Sequence, residues 1–291
     1  MEKKIIVITG ATNGIGKATA TELAKQGHTL ILHGRNEQKT KACVEEIKQV
    51  TGNEDVSYVL ADMLKLDTVK RMADEIKQKV DHIDVLLNNA GAQFGEEREV
   101  TPEGHEKTMT VNVMAPTLLS LELLPLLNKS KDGRIATTSS ASYAMGGKVI
   151  ADDIELERNY SYTKVYGHSK LYVIWMMKGV EKVIKEKGYH VSVNITHPGA
   201  TISGLGNDAK KGCIVKLIFG VWFLLAPLTM NSMEKAIKGN LYCATAENLD
   251  SNTNVYYGPK GKEKLNLVKF DTDKNQPIIW DYFHNIIQQY E

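Results

Sequence analysis

IIVITGATNGIG, the sequence of residues 5–16, is the stretch from which the fold of this 291-residue chain is inferred. Its four leading apolar residues predict a strand covered on both faces, and the turn that follows opens a helix. Gly10 permits a sharp turn, Gly14 lets the backbone approach a pyrophosphate, and Gly16 lets the helix pack against the strand. The helix N-terminus presents free N–H groups and a partial positive charge. The stretch therefore predicts a dinucleotide phosphate site; its position after the first strand disfavours the alternative, a glycine-rich turn without a ligand.

Outward from this stretch, short β-rich runs alternate with longer stretches of helical period. The predicted strands are Ile5–Ile8, Thr29–His33, Val56–Leu60, Val85–Asn88, Arg134–Thr138 and Val191–Thr196. The predicted helices are Gly16–Gln26, Glu37–Thr51, Leu66–Val80, Glu103–Leu127, Ser161–Lys187 and Ser232–Ala246. This alternation predicts an α/β fold, a Rossmann-type doubly wound parallel sheet with helices on both faces. Without repeats or a Pro/Gly-rich linker, residues 1–291 are expected to form a single dinucleotide-binding domain.

Composition limits the classes of partner and compartment. Hydrophobic residues make up 42% of the chain and charged residues 24%, which is ordinary for a soluble globular protein. The formal net charge of +1 provides no global attraction to nucleic acid or acidic lipid. Cys43, Cys213 and Cys243 are sparse, odd in number and without metal-ligand spacing, which indicates reduced thiols and no metal. Ile5–Ile8 is too short for a signal-peptide core, so a cytoplasmic protein is expected.

The end of the second predicted strand bears on the choice of nicotinamide cofactor. NAD sites usually place a carboxylate here, which accepts a hydrogen bond from the ribose 2′-hydroxyl. This chain has Gly34 at that place, followed by Arg35, whose guanidinium suits a 2′-phosphate. The pattern favours NADP, and the alternative is that Arg35 is a solvated loop residue.

A tyrosine and a lysine four residues apart form the candidate catalytic pair. Tyr166 and Lys170 lie on a predicted helix, so they share one face. A nearby ammonium stabilises a phenolate and is expected to lower the pKa of Tyr166, which would make it an acid or base near neutral pH. Such a pair is common by chance when it stands alone.

The pair occurs within an ordered set of motifs. The set comprises the glycine turn, Asp62, Asn88-Asn89-Ala90-Gly91, Asn112, Ser139-Ser140 and the pair Tyr166/Lys170. Together these motifs resemble the short-chain dehydrogenase/reductase family from Ile5 to about Ala246. The insertion between Ser140 and Tyr166, the sequence YGHSKL at 166–171 and His197-Pro198-Gly199 resemble its retinol-dehydrogenase-like branch. The resemblance implies hydride transfer between NADPH and the carbonyl or alcohol of a small, apolar substrate.

The resemblance also implies catalytic roles. Tyr166 would donate or accept the proton, Ser140 would orient the substrate oxygen, and Lys170 would hold the nicotinamide ribose. Asn112 would fix a helix bend and the water through which Lys170 exchanges protons. Ser140 is preferred to Ser139 because the second serine of the pair matches the family position.

Further residues are expected to bind the cofactor. Asp62 would contact the adenine amino group, Asn89 the adenosine ribose, and Thr201 the nicotinamide side, with Ser203 as the alternative to Thr201. The full expected cofactor-binding set is Gly10, Thr12, Asn13, Gly14, Ile15, Gly16, Arg35, Asp62, Met63, Asn89, Ala90, Gly91, Tyr166, Lys170, Pro198, Gly199 and Thr201. Side chains expected to have structural or solvated roles are those of Lys17, Asn88 (supporting the turn that Asn89 uses), His168, Ser169 and His197.

Two long segments interrupt the alternation, residues 139–159 and 202–230. The second contains the apolar run Ile214–Leu228, which includes Lys216 and is shorter than the roughly 20 residues that span a membrane. A cover over the substrate is the preferred interpretation, with superficial membrane contact second and an oligomer interface third. Two rival functions remain, a catalytically idle NADP-binding regulator and an oligomeric scaffold. The intact set of Ser140, Tyr166, Lys170 and Asn112 argues against the idle regulator.

Overall fold

A sheet of eight strands runs through the computed structural model, which describes residues 2–201, 230–247, 249 and 253–291. The strands are β1 Ile5–Ile8, β2 Thr29–Gly34, β3 Val56–Leu60, β4 Val85–Asn88, β5 Gly133–Thr138, β6 Val191–Thr196, β7 Tyr256–Gly258 and β8 Gly261–Glu263. Their spatial order is β3-β2-β1-β4-β5-β6-β7-β8, and every neighbouring pair is parallel except the β7–β8 hairpin. The predicted fold class, a mostly parallel doubly wound sheet, is confirmed.

Helices cover both faces of this sheet. They are α1 Gly14–Lys25, α2 Glu37–Thr51, α3 Leu66–Lys79, α4 Lys107–Met109, α5 Ala115–Leu127, α6 Tyr162–Glu186, α7 Met233–Ala236, α8 Lys238–Thr245 and α9 Thr272–Ile287. One apolar core joins Val7 and Ile31 to buried residues of α3, α5, α6 and α9. The other joins Ile6 and Ile8 to α1, α2 and α8. Strand residues that alternate between two buried cores explain why the strands are continuously apolar.

The six strands predicted from the sequence are present, each within one residue of its expected ends. The predicted helix Glu103–Leu127 begins later, at Lys107, and Thr110–Met114 within it is a π-helical segment. The expected helix Ser232–Ala246 is divided into α7 and α8. Lys107–Leu127 is long and apolar enough to cross a membrane, but 83% of an 18-residue apolar stretch within it is buried in the protein, as in a core helix.

The elements after residue 253 were not predicted. Val255, Tyr256 and Tyr257 form a β-rich run that is followed by the turn residues Gly258 and Pro259. That pattern is a hairpin signal, so the sequence did contain evidence for β7 and β8. Helix α9 then packs against α6 through buried residues such as Phe283.

The order of the strands reverses between β1 and β4, where β1 has β2 on one side and β4 on the other. In sheets of this kind, ligands bind at the carboxyl ends of the strands beside such a reversal. The glycine turn follows β1, the Asn-Asn-Ala-Gly segment follows β4, Ser139-Ser140 follows β5 and His197-Pro198-Gly199 follows β6. The predicted motifs therefore meet at one edge. The apolar run Ile214–Leu228 lies outside the described residues.

Candidate active site

The glycine turn after β1 is packed too closely for side chains at two of its glycines. A Cβ on Gly10, whose φ is +65°, would lie 2.9 Å from the Ala90 Cα, and one on Gly16 would lie 2.3 Å from the Gly10 carbonyl oxygen. Helix α1 begins at Gly14, two residues earlier than predicted, and Asn13 caps it by accepting a hydrogen bond from the Gly14 N–H at 2.7 Å. The turn therefore brings the backbone of residues 10–16 to the helix N-terminus, where an anion binds favourably.

Asn89 and Thr9 hold this turn against β4. The Asn89 side-chain nitrogen donates to the Thr9 carbonyl at 3.0 Å and to the Gly10 carbonyl at 3.3 Å. The Thr9 hydroxyl accepts from the backbone N–H groups of Asn89 and Ala90. Asn88 was expected to support the turn, but it points to the other side and donates to Ser120 and Thr137. Asn89 supports the turn in place of Asn88 because successive side chains along a strand face opposite sides of the sheet.

His33 is a second support that sequence reasoning missed. Its ring is buried at the end of β2, where Nδ1 accepts from the Gly10 N–H at 3.2 Å and Nε2 donates to the Ala61 carbonyl at 3.1 Å. This pair of bonds needs one protonated and one bare ring nitrogen, which is the neutral imidazole. Burial lowers the pKa of His33 and so favours that form. The only sequence signal was a polar residue at the end of an apolar strand.

The expected adenosine side of the site lies at the ends of β2 and β3. Arg35 is exposed directly after β2. Asp62 follows β3, is half-buried, and accepts a hydrogen bond from the Leu64 N–H at 3.1 Å, while Met63 is buried. Since β2 pairs with β3 up to Gly34 and Leu60, the structure brings Arg35 and Asp62 to the same edge of the sheet.

Helix α6 and the end of β5 bring together the candidate catalytic side chains. Both Tyr166 and Lys170 are buried on α6, and the Lys170 Nζ lies 5.6 Å from the centre of the Tyr166 ring. The Ser140 hydroxyl is hydrogen-bonded to Tyr166. It also accepts from the Ser142 N–H at 3.1 Å, which caps a 3₁₀ helix over 141–145. Ser139 instead donates to the Lys170 carbonyl at 2.7 Å, so Ser140 is the serine at Tyr166.

Burial shifts both pKa values of the pair toward the uncharged forms. It raises the pKa of Tyr166 to about 12, against the opposing effect of the Ser140 hydrogen bond. It lowers the pKa of Lys170 to about 8. The expectation that the pKa of Tyr166 would be lowered is therefore wrong for this structure, because desolvation of the buried phenolate is the largest effect on it. The Lys170 ammonium donates to the Thr138 carbonyl at 3.2 Å.

Asn112 lies in the π-helical segment Thr110–Met114. Its side chain accepts from the Ala92 N–H, donates to the Ala92 carbonyl, and donates to the Ser169 hydroxyl, each at 2.9–3.0 Å. Single π-helical turns within α-helices are frequent at functional sites. Ser169, expected to be a packing residue, thus links Asn112 to α6, and it also donates to the Tyr166 carbonyl at 2.8 Å.

The turn after β6 is built around Pro198 and Gly199. The Pro198 carbonyl accepts from the Thr201 hydroxyl at 3.0 Å and from the Asn231 side chain at 3.3 Å. The His197 ring stacks on Tyr256 and accepts from the Gly199 N–H, which is the structural role expected of it. Ser203, the alternative to Thr201, lies outside the described residues.

Two further side chains have the roles expected from the sequence. His168 is buried and stacks on Tyr172, and burial lowers its pKa to about 4, so it packs as a neutral ring. Lys17 is not part of the turn and pairs with Glu46 at 2.7 Å on the outer face of α1.

These residues fit a dinucleotide cofactor. A Cβ on Gly91 would lie 3.2 Å from the Lys170 Nζ and 3.3 Å from the Asn112 Oδ1, so the segment after β4 passes close beside the lysine. An ammonium has three donors, and in the described part of the chain one of those of Lys170 is used, by the Thr138 carbonyl. The remaining donors of the buried ammonium are suited to hydrogen bonds with further acceptors, such as the hydroxyl oxygens of a ribose.

The chain is similar to known proteins over most of its length. Residues 4–213 match the family described as short chain dehydrogenase. Retinol dehydrogenase 13 of Homo sapiens is 31% identical over 261 residues, which cover 87% of this chain and 76% of that protein. Polyprenol dehydrogenase of Homo sapiens is 30% identical over 200 residues, which cover 67% of this chain and 60% of that protein. The chain therefore aligns with less than two thirds of polyprenol dehydrogenase.

A similar solved structure supports the fold. A short chain dehydrogenase from Shigella flexneri 2a, complexed with NADP, superposes with a TM-score of 0.67 at 23% identity, covering 89% of this chain and 98% of that one. The family match covers well over half of the chain and includes the glycine turn, Asn112, Ser140, Tyr166 and Lys170. This chain therefore belongs to the short-chain dehydrogenase/reductase family of oxidoreductases, in its retinol-dehydrogenase-like branch.

Proposed function

We propose that the protein is an NADP-dependent oxidoreductase that reduces the carbonyl group of a small, apolar substrate. The observation that carries the proposal is the buried Tyr166, which holds its proton beside the Ser140 hydroxyl and one helical turn from the Lys170 ammonium. The three side chains lie where β5 and α6 meet the edge of the sheet that carries the glycine turn.

The roles of the chain's own residues follow from this arrangement. When bound, the nicotinamide supplies the hydride, and the carbonyl oxygen must then gain a proton. Tyr166 donates that proton, and Ser140 positions the oxygen by a hydrogen bond. Lys170 stabilises the phenolate that forms and holds the ribose, and Asn112 fixes the segment after β4 beside the lysine.

Reduction is the proposed direction in the cell. Cellular NADP pools are usually kept reduced, so NADPH is available to donate a hydride. Tyr166, whose pKa burial raises to about 12, holds the proton that the product oxygen then gains.

NADP is preferred to NAD for two reasons. The end of β2 carries no carboxylate at Gly34, and the exposed Arg35 follows it. Two similar structures were solved with NADP or NADPH, which supports the choice. The residues that would hold the cofactor are Gly10, Thr12, Asn13, Gly14, Ile15, Gly16, Arg35, Asp62, Met63, Asn89, Ala90, Gly91, Tyr166, Lys170, Pro198, Gly199 and Thr201.

An apolar alcohol or carbonyl compound is the proposed substrate class. Relatives named for retinol and polyprenol support it, because both names denote long apolar alcohols. The apolar run within residues 202–230 is proposed to cover such a substrate. Sparse cysteines, of which Cys43 and Cys243 are free and buried, support a reducing, cytoplasmic compartment.

Replacing the proton donor tests this proposal. Tyr166→Phe keeps the ring and its packing but removes the proton, so folding and NADPH binding should survive. Turnover of NADPH with a panel of apolar aldehydes and ketones should fall by roughly 10²–10⁴-fold, as is typical of general acid–base groups. Turnover close to that of the unmodified protein at several pH values would exclude Tyr166 as the donor. NADPH binding without turnover of any carbonyl by the unmodified protein would instead indicate an idle regulator.

A further inference from the structure

The end of β2 is closed by two threonine side chains. A Cβ built on Gly34 would lie 2.2 Å from the Thr40 hydroxyl oxygen, 2.7 Å from the Thr12 methyl carbon and 3.2 Å from the Thr40 Cβ. The first two distances are far below van der Waals contact. A side chain at position 34 therefore requires Thr40 or Thr12 to move, although the backbone of Gly34 is in an ordinary strand conformation.

The Thr40 side chain is held by a hydrogen bond, and Thr12 is positioned by the backbone of the glycine turn. Thr40 is fully buried on α2, and its hydroxyl donates to the Asn36 carbonyl at 2.7 Å, which anchors the side chain to the first turn of the helix. Thr12 belongs to the glycine turn, and the N–H of its neighbour Ala11 donates to the His33 carbonyl at 3.0 Å. Gly34 is thus contacted from two sides, by α2 and by the glycine turn. Helix α2 is hydrogen-bonded to Asn36, which follows β2, and the glycine turn is hydrogen-bonded to His33 on β2.

We infer that Thr40 and Thr12 are specificity-determining residues, because they reserve position 34 for glycine and so exclude a carboxylate from the end of β2. The inference rests on the proposed use of NADP. A carboxylate at this place accepts a hydrogen bond from the ribose 2′-hydroxyl of NAD and would repel the 2′-phosphate of NADP. In this role the threonines act through the space they occupy at position 34. Thr12 is in addition one of the residues proposed to hold the cofactor.

This device is separate from the attraction that Arg35 offers. Arg35 is exposed, whereas Gly34 is buried. Position 34 differs because the conflict arises with any side chain, whatever its charge. Preference for NADP would therefore have two components, a cation that attracts the 2′-phosphate and a steric exclusion that keeps a competing anion away.

The test adds a carboxylate at position 34 with and without space for it. In Gly34→Asp the melting temperature should fall by several degrees, because α2 or the glycine turn must move. In Gly34→Asp/Thr40→Ala/Thr12→Ser the conflicting hydroxyl and methyl are gone, so most of the lost melting temperature should return. Fluorescence titration of this triple variant should show the ratio of NADH to NADPH affinity raised at least ten-fold over that of the unmodified protein.

Two control variants separate space from charge. Arg35→Asp introduces the same residue one position later at an exposed site, so its melting temperature should fall less than that of Gly34→Asp while its preference moves from NADPH toward NADH. Thr40→Ala with Gly34 retained should keep the preference for NADPH, because no carboxylate has been added.

Four outcomes would contradict the inference or the cofactor choice on which it rests. Gly34→Asp with an unchanged melting temperature would overturn the inference, and so would a triple variant that stays as unstable as Gly34→Asp or keeps its preference for NADPH. Equal affinity of the unmodified protein for NADH and NADPH would overturn the proposed cofactor choice. The melting temperatures would still decide, independently, whether the threonines exclude a side chain at position 34.

Discussion

The Lys170 ammonium is buried beside the Tyr166 ring and donates a hydrogen bond to a backbone carbonyl. Its burial determines the pH at which it loses its charge. Desolvation disfavours the charged form of both members of the pair, which lowers the pKa of Lys170 to about 8 and raises that of Tyr166 to about 12. Near pH 7 the lysine is charged and the tyrosine is neutral. Just above pH 8 the lysine loses its charge first, while the tyrosine still keeps its proton.

This difference predicts a pH dependence of cofactor affinity. If the Lys170 ammonium holds the ribose, the charged fraction and the NADPH affinity should fall together as the pH rises through about 8. Above that pH, affinity should drop by up to roughly ten-fold per pH unit. Lys170→Met should bind NADPH more weakly at pH 7 and lose this dependence, measured as the dissociation constant between pH 6 and 10. Lys164→Met, an exposed lysine on the same helix, is the matched control and should retain it.

Some site residues were predictable from the sequence and others were not. Tyr166 and Lys170 lie four residues apart on one helix, so their neighbourhood follows from helical geometry alone. His33 and Ser169 act through partners on other elements, Gly10 with Ala61 and Asn112 respectively. No spacing along the chain shows such contacts. The raised pKa of Tyr166 could not be predicted from the sequence either, because it depends on burial in the folded protein.

At the level of elements, the apolar strands were predictable because burial on both faces imposes a continuous apolar run. Strand β8 has the sequence Gly-Lys-Glu and lies at the edge of the sheet, so it carries no such pattern. The π-helical segment around Asn112 was also invisible, since one local change in hydrogen bonding leaves a helical hydrophobic period almost unaltered. The hydrophobic period of the sequence therefore predicts the central strands and helices, but it does not predict an edge strand or a local irregularity within a helix.

The crossing of α6 and α9 depends on a glycine and leads to a stability prediction. A Cβ on Gly179 would lie 1.8 Å from the Trp280 Cε3, so α9 packs directly on the α6 backbone. Glycine to alanine within a helix normally stabilises by about 1 kcal/mol. Here Gly179→Ala should instead destabilise by about 1–3 kcal/mol, because overpacking forces the tryptophan or the helix away. Chemical denaturation followed by circular dichroism measures the change.

A double variant tests whether the loss of stability in Gly179→Ala arises from the contact with Trp280. In Gly179→Ala/Trp280→Leu the indole ring is absent, so the alanine should be less damaging than in the protein that retains Trp280. The comparison with Trp280→Leu alone gives the coupling between the two positions. A Gly179→Ala protein that is as stable as the unmodified one, or more stable, would show that α9 adapts without cost.

Across the whole molecule, one buried carboxylate joins three segments that are distant in sequence. Glu155, in the insertion between β5 and α6, accepts hydrogen bonds from the Glu106 N–H and from the Tyr282 hydroxyl on α9, and it pairs with His105 at 3.0 Å. Glu106 in turn caps the helix that leads to Asn112, accepting from the Met109 N–H at 2.7 Å. The insertion and α9 are thereby tied to the helix that carries a candidate catalytic residue.

Glu106 makes the stability of this assembly depend on pH. Burial, aided by the nearby Glu155, raises the pKa of Glu106 from 4.5 to about 7. An acid whose pKa is raised on folding contributes stability that is fully present below pH 4.5 and is lost as the pH rises through about 7. The difference of 2.5 pH units corresponds to at most about 3 kcal/mol. Glu106→Gln is uncharged at every pH, so it should raise the free energy of unfolding at pH 8 by about 1–3 kcal/mol.

The gain in unfolding free energy of Glu106→Gln should depend on pH. At pH 5 Glu106 is already protonated in the folded protein, so glutamine removes no charge and should give little or no gain. Urea unfolding at pH 5, 6, 7 and 8 therefore should show a difference between variant and unmodified protein that grows with pH and levels off above 7. Glu96→Gln, at an exposed position, is the control and should show no such trend. A difference for Glu106→Gln that is the same at pH 5 and pH 8 would mean that Glu106 is charged in the folded protein throughout, and that its helix-capping bond to Met109 outweighs the cost of its burial.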